Sequence, residues 1–282
     1  MRKKQNILIT GSQGQLGKTI EKYCTINYFS HTACDKNKLN ITNLQDIRNC
    51  VSTLKPTVII NCAAYNNVDA AEKDCRNAEL VNGIGPSYLA IAAEEQNIPL
   101  VHFSTDYVFD GLKLTPYTIS DIPNPINYYS KSKLLGEKLI QSLCRKYFII
   151  RLSWVFGDGT SNFVYKLLQW SKEKDTISVV TDQISRPTYT KDIVYAIFAI
   201  LDSKAYGIYH LANTESCSRY DWAKYVLNKI NPKIKVLPTF SYNFSSTCRP
   251  AYSVLDLSSS ISVYGELPTW EDATDCYLNL GE

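Results

Sequence analysis

A short apolar run, Ile7-Leu8-Ile9-Thr10, leads straight into Gly11-Ser12-Gln13-Gly14-Gln15-Leu16-Gly17, and a helical pattern follows. This succession constrains the fold more than any other feature of the chain. Strand, glycine turn and helix in that order read as the first βα unit of a dinucleotide-binding sheet. Gly11 permits the tight turn, Gly14 lets a pyrophosphate approach the backbone, and Gly17 lets the helix pack close to the strand. The amides and dipole of the helix start then face the phosphates. Asp35 lies 24 residues after Gly11, where the second strand should end. A carboxylate there accepts hydrogen bonds from the adenosine ribose hydroxyls and favours NADH. Lys36 and Lys38 beside it would offset its charge for NADPH, so both cofactors stay open.

The same unit recurs downstream. Val58-Ile59-Ile60-Asn61, Leu100-Val101-His102-Phe103-Ser104 and Phe148-Ile149-Ile150-Arg151-Leu152 are continuous runs without alternation, as in parallel strands covered on both faces. Helical patterns near 15–27, 43–55, 75–96 and 130–146 separate them, and the last carries Leu135, Leu139 and Leu143 as a stripe expected to face the sheet. The fold class is therefore α/β, a doubly wound parallel sheet of Rossmann type with right-handed crossovers, over residues 1–157. Residues 158–282 are expected to form mainly a smaller C-terminal substrate-binding portion. Within it, helices near 162–174, 191–203 and 219–230 alternate with short strands at 177–180 and 206–211. Segments within 177–212 are expected to return to the main sheet. The stretch 231–268, with four prolines, reads as loop-rich.

Composition excludes several classes. With 45% apolar and 20% charged residues, the chain of 282 can bury a core and is not disordered. A net charge of +3 leaves no footprint for nucleic acid. No apolar run approaches the roughly 18 residues of a membrane span, and the opening Met1-Arg2-Lys3-Lys4-Gln5-Asn6-Ile7 does not lead into a secretory signal. The nine cysteines include no Cys-x-x-Cys and cluster with none of the three histidines, so no metal site is expected. Reduced thiols and a cytoplasmic location follow.

Ser104-Thr105-Asp106-Tyr107-Val108-Phe109 falls at the carboxyl end of a strand, the edge where open α/β sheets place ligands. Tyr129 and Lys133 follow, four residues apart and on one helix face. An ammonium beside a phenol stabilises tyrosinate, so the tyrosine is expected to release its proton near neutrality. Tyr-x-x-x-Lys alone is a common accident. Behind a glycine fingerprint and a strand-end Ser-Thr, it reads as a proton donor and its partner.

With these motifs the chain resembles the extended short-chain dehydrogenase/reductases, and among them the dTDP-4-dehydrorhamnose reductases. The resemblance spans about residues 6–270. It rests on Gly14-Gln15-Leu16-Gly17, Asn61-Cys62-Ala63-Ala64-Tyr65, the run from Val101 to Gly111, Ser132-Lys133-Leu134-Leu135-Gly136-Glu137, Arg151-Leu152-Ser153-Trp154-Val155-Phe156-Gly157, Asn162-Phe163-Val164 and Arg249-Pro250-Ala251-Tyr252-Ser253. It implies that Tyr129 donates the proton, that Lys133 holds the nicotinamide ribose and tunes Tyr129, and that Thr105 binds the substrate oxygen. Asp106, Trp154 and Arg249 belong to the sugar-nucleotide site, with Trp154 packed on the deoxysugar. Gly11, Gly14, Gln15, Leu16, Gly17, Asp35, Asn40, Ile41, Ala63, Ala64 and Tyr65 line the dinucleotide, NADPH or NADH. Asn40 stands where the family usually has Asp, and Ser185-Arg186 interrupts a familiar turn. A dTDP-linked deoxysugar as substrate, a homodimer and a magnesium ion are implied by the resemblance alone. A dehydratase would carry Glu after Asp106, where Tyr107 stands. A reductase or epimerase of another nucleotide-linked 4-keto-6-deoxyhexose and a non-catalytic NAD(P)-binding regulatory subunit are the remaining alternatives.

Overall fold

Apolar residues at odd and even positions of each run are both buried, because helices cover both faces of the sheet. The computed structural model describes residues 6–244 and 247–279; residues 1–5, which the secretory-signal reading used, lie outside them. The strands are β1 (Asn6–Thr10), β2 (Ser30–Cys34), β3 (Val58–Asn61), β4 (Leu100–Thr105), β5 (Tyr147–Leu152), β6 (Val155–Phe156), β7 (Thr176–Val180), β8 (Ile184–Ser185), β9 (Thr188–Tyr189), β10 (Gly207–Leu211), β11 (Cys217–Ser218) and β12 (Lys235–Thr239). The helices are α1 (Gln15–Ile26), α2 (Leu44–Leu54), α3 (Val68–Ala71), α4 (Cys75–Glu79), α5 (Gly85–Glu95), α6 (Tyr128–Leu143), α7 (Phe163–Glu173), α8 (Thr190–Ser203), α9 (Arg219–Ile230), α10 (Ser258–Tyr264) and α11 (Trp270–Leu278).

Six strands pair in parallel in the order β10-β5-β4-β3-β1-β2, a Rossmann-like sheet. Ile7 and Ile9 pack with α1 and α8 on one face, while Leu8 packs with α2 and α5 on the other. The chain runs from β1 out to β2 and returns to β3 on the far side of β1. The strand order therefore reverses between β1 and β3, and a crevice opens there at the carboxyl edge. A third core, built on Trp154, Phe156, Leu167, Ile177, Trp222 and Trp270, gathers α7, α9 and α11 beyond that edge. β10 and α8 pack with the main sheet, whereas β7 pairs with β12 apart from it.

Three expectations change. The segment 75–96 is helical but interrupted by a π-helical turn, Leu80–Ile84. Pro86 has no N–H for the Asn82 carbonyl four residues back, and its ring would crowd that carbonyl, so the turn widens. The leucine stripe of α6 does not face the sheet: Leu135 and Leu139 are half-buried and Leu143 is exposed, while Lys133, Gly136, Glu137 and Ile140 are buried. Leu135 instead packs on Gly83 of the π turn. The polar residues turn inward because each finds a buried partner. The proline-rich tail contains β12 and α10 as well as loop; Pro238 is tolerated because β12 is an edge strand paired only with β7.

Candidate active site

Gly11 closes β1 with φ +63°, and a Cβ there would lie 2.4 Å from the Ala63 amide nitrogen. Only glycine lets the loops after β1 and β3 pass this closely. A Cβ on Gly17 would stand 2.5 Å from the Gly11 carbonyl oxygen, so α1 presses directly on the turn. Gly14 caps α1 without a side chain, and the first turn holds no acid. Its amides lack a capping side chain, which fits a pyrophosphate of a dinucleotide. Gln15 accepts a 3.0 Å hydrogen bond from Asn162 Nδ2, tying this loop to the start of α7, and Leu16 packs on the sheet core. Asp35 follows β2 at once and accepts the Asn37 and Lys38 amides at 3.0 Å. Asn40 is exposed and spends its side-chain oxygen on Thr42, while Ile41 is buried against Gly85. Ala63, Ala64 and Tyr65 form the opposite lip of the crevice.

β4 delivers Thr105 and Asp106 to the same edge. Thr105 Oγ1 accepts the Tyr107 amide at 3.2 Å and donates to Asp106 Oδ1 at 3.2 Å. Asp106 Oδ2 accepts Ser253 Oγ at 2.5 Å and Ser185 Oγ at 3.0 Å. Burial pushes the Asp106 carboxyl up to about 6, against the pull of these donors and of Arg219. The segment that brings Ser253 also crosses the start of α6, where Asn127 Nδ2 donates to the Cys248 carbonyl at 3.0 Å.

α6 begins at an Asn127–Ser130 capping box, which sets Tyr129 in its first turn and Lys133 one turn on. Part of Tyr129 stays exposed, but its hydroxyl lies among buried groups on the side of Thr105. Here the structure corrects the sequence reading. Burial, and not the Lys133 ammonium, dominates the phenol and holds it well above its ordinary value, so Tyr129 stays protonated. Lys133 is buried, and its Nζ donates to the Phe103 carbonyl at 2.5 Å. Burial brings its pKa down to about 8, with Glu137 opposing.

Several groups around these residues escaped the sequence reading. His102 Nε2 lies 3.5 Å from Lys133 Nζ, and His102 Nδ1 lies 3.0 Å from Asn61 Nδ2. Buried Asn82, presented by the π turn, accepts the Tyr65 amide at 2.8 Å and donates to Ser132 Oγ at 2.9 Å, joining the loop after β3 to α6. The buried Glu137–Arg151 pair fastens α6 to β5 with bonds of 3.0 and 2.7 Å. Pro86 in a helical segment was the only local hint of the π turn.

Trp154 is buried with φ +42°, a left-handed backbone unusual for so bulky a residue. Its ring is parallel to Trp222 at 6.1 Å, and the Arg219 guanidinium lies 3.7 Å from its centroid. Trp154 thus already packs within an aromatic and cationic cluster. Arg249 pairs with Asp69 at 2.8 Å. Among the described residues, no group of three His, Cys, Asp or Glu side chains is placed to hold a metal ion, so they offer magnesium no protein cage. Among them, too, no helix is long and apolar enough to cross a membrane.

The RmlD substrate binding domain family matches residues 5–281. The chain belongs to this family. It is 39% identical to a dTDP-4-dehydrorhamnose reductase of Aggregatibacter actinomycetemcomitans, over 95% of this chain and 96% of that protein. It is 37% identical to the spore coat polysaccharide biosynthesis protein SpsK of Bacillus subtilis, over 96% of each. The crystal structure of the Bacillus anthracis dTDP-4-dehydrorhamnose reductase in complex with NADP superposes with a TM-score of 0.95 at 37% identity, covering 99% of this chain and 100% of that one. The family membership agrees with a Rossmann-like fold whose glycine turn and Tyr–Lys helix meet at one edge.

Proposed function

We propose that this chain reduces the C4 keto group of dTDP-4-dehydro-L-rhamnose with NADPH or NADH, giving dTDP-L-rhamnose for surface polysaccharide. The observation that carries the reading is the meeting of Thr105, Tyr129 and Lys133 at the sheet edge beside the uncapped start of α1. When bound there, the reduced nicotinamide supplies the hydride.

The chain's own residues manage the charge and the proton. Negative charge develops on the former carbonyl oxygen, where the Tyr129 hydroxyl and the Thr105 hydroxyl can meet it. Tyr129 is kept protonated by burial, the state this direction requires. Thr105 turns its proton from Asp106 to the substrate; the carboxylate retains Ser185 and Ser253 as donors. The tyrosinate left behind is balanced by the Lys133 ammonium, which the Phe103 carbonyl anchors. Trp154 and Arg249 serve the sugar nucleotide, and Asp35 serves the adenosine ribose. The chain works in the cytoplasm, where its nine cysteines stay free, and as a homodimer, which sedimentation would check.

The test couples the wild type and Tyr129→Phe to dTDP-4-dehydro-6-deoxyglucose, its 3,5-epimerase and NAD(P)H, with nicotinamide absorbance followed. Wild type should oxidise the cofactor. The variant should lose about 10²–10³-fold in kcat with cofactor affinity nearly intact. Near-wild-type turnover by the variant, or none by wild type, would overturn the reading.

A further inference from the structure

Among the described residues two guanidinium groups lie over aromatic rings, and one of the two, Arg219, has no carboxylate within ion-pair distance. Arg151, 5.2 Å from the Phe109 ring centroid, is matched by Glu137 in a buried two-bond pair. Arg219, the first residue of α9, lies 3.7 Å from the Trp154 centroid, 5.0 Å from Phe163 and 5.7 Å from Trp222. Among the described residues no carboxylate comes within ion-pair distance of it. The Tyr107 hydroxyl is a polar neighbour that acts on its charge. Asp106 faces it, but the Asp106 oxygens are committed to Thr105, Ser185 and Ser253. Of two further arginines near this edge, Arg249 is paired with Asp69, and Arg186, next to Ser185, is half-buried with its Nε unpartnered but makes no stacking contact with Trp154. Arg219 is half-buried and, among the described residues, has no ion-pair partner, and its planar fork suits phosphate oxygens.

Its position gives it a ligand. Thr105, Asp106 and Tyr107 are consecutive. Thr105 at one end lies toward the Tyr129 hydroxyl, and Tyr107 at the other lies toward Arg219. A hexose linked to a nucleoside diphosphate carries its C4 carbonyl and its C1 phosphate on opposite ends of one ring. We propose that Arg219 binds the diphosphate of the sugar nucleotide, stacking on Trp154 so that the anion lies across the sugar from Thr105 and Tyr129. This rests on the proposed reaction and names the residue that selects a diphosphate-linked substrate. The left-handed backbone of Trp154 then has a use, since it presents the ring as a platform for the guanidinium.

Isothermal titration of the full chain with dTDP, and separately with NADP, tests this in wild type, Arg219→Gln and Arg219→Lys. Arg219→Gln should weaken dTDP about 10–100-fold and leave NADP within about twofold, and its deficit should shrink as sodium chloride rises, since salt screens charge. Arg219→Lys, which keeps the charge and loses the fork, should lose about 3–10-fold; it carries the test if the glutamine variant does not fold. Unchanged dTDP affinity overturns the assignment. So does an equal loss for NADP, which marks a packing role, or a deficit indifferent to salt, which marks a contact with sugar or base. Wild type that binds dTDP without turning over the keto sugar would instead defeat the proposed reaction and leave the Arg219 contact standing.

Discussion

Lys133 Nζ lies 3.5 Å from His102 Nε2, inside the sheet edge. The Asn61 amide is oriented by two donors to its oxygen, Thr10 Oγ1 at 2.6 Å and the Ala63 N–H at 3.1 Å. Its NH2 therefore donates to His102 Nδ1. Burial, with the Lys133 charge, holds His102 well below its ordinary range and hence neutral. The one remaining proton of His102 is on Nε2, facing the ammonium. Lys133 thus has one acceptor, the Phe103 carbonyl, and one donor beside it. Such a site holds the ammonium without overstabilising it.

From this follows an alkaline limit on turnover. The Lys133 ammonium is present below about 8 and lost above it, a direction set by burial. kcat for the reduction should fall with one-proton slope as pH rises through about 8, measured by cofactor oxidation in saturating substrate.

An acid limit should accompany it. Asp106 is a carboxylate above about 6 and neutral below. On protonation it ceases to be a pure acceptor for Ser185, Ser253 and Thr105, and the crossing segment loosens. kcat/KM should decline below about pH 6, and Asp106→Asn should abolish that limb while lowering the plateau. The two limbs enclose a bell, with Tyr129 protonated throughout.

Glu137→Gln should be strongly destabilising. It leaves Arg151, 2% exposed at its side chain, as an uncompensated buried cation. Breaking one member of such a pair costs about 3–5 kcal/mol, to be read from urea or guanidinium unfolding. The double replacement Glu137→Leu with Arg151→Met should cost much less, because no charge is left alone.

Gly136→Ala tests the seating of α6. The added Cβ would lie 2.2 Å from the Asn82 carbonyl oxygen, which is backbone and has little room to give. We expect a loss of about 1–3 kcal/mol from overpacking and a larger fall in kcat than in NADP affinity, since Tyr129 and Lys133 ride on this helix. Calorimetric melting with steady-state kinetics checks both.

Much of the site was legible because its signals are local. The Gly11 turn, the strand-end Thr105 and the Tyr129–Lys133 spacing each lie within one element or at its border. The leucine stripe misled because spacing reports that a helix has an apolar side and is silent on what the sheet offers in return. Here the sheet offers the Phe103 carbonyl to Lys133 and Arg151 to Glu137, so a polar side turns inward. The π turn escaped because a proline in a helical pattern reads equally as a break.

The parallel sheet, the glycine turn and the order of the candidate catalytic residues were already written in the sequence, since periodicity and turn chemistry are set by neighbours in the chain. The charge states came from the folded packing. Asp106 meets Ser185 across 79 residues and Ser253 across 147, and Arg219 reaches Trp154 from another element. Desolvation and hydrogen-bond partners govern a pKa, and both come from residues distant in sequence. The sequence reading expected an adjacent ammonium to lower the Tyr129 phenol, whereas burial holds it above its ordinary value, protonated and ready to donate.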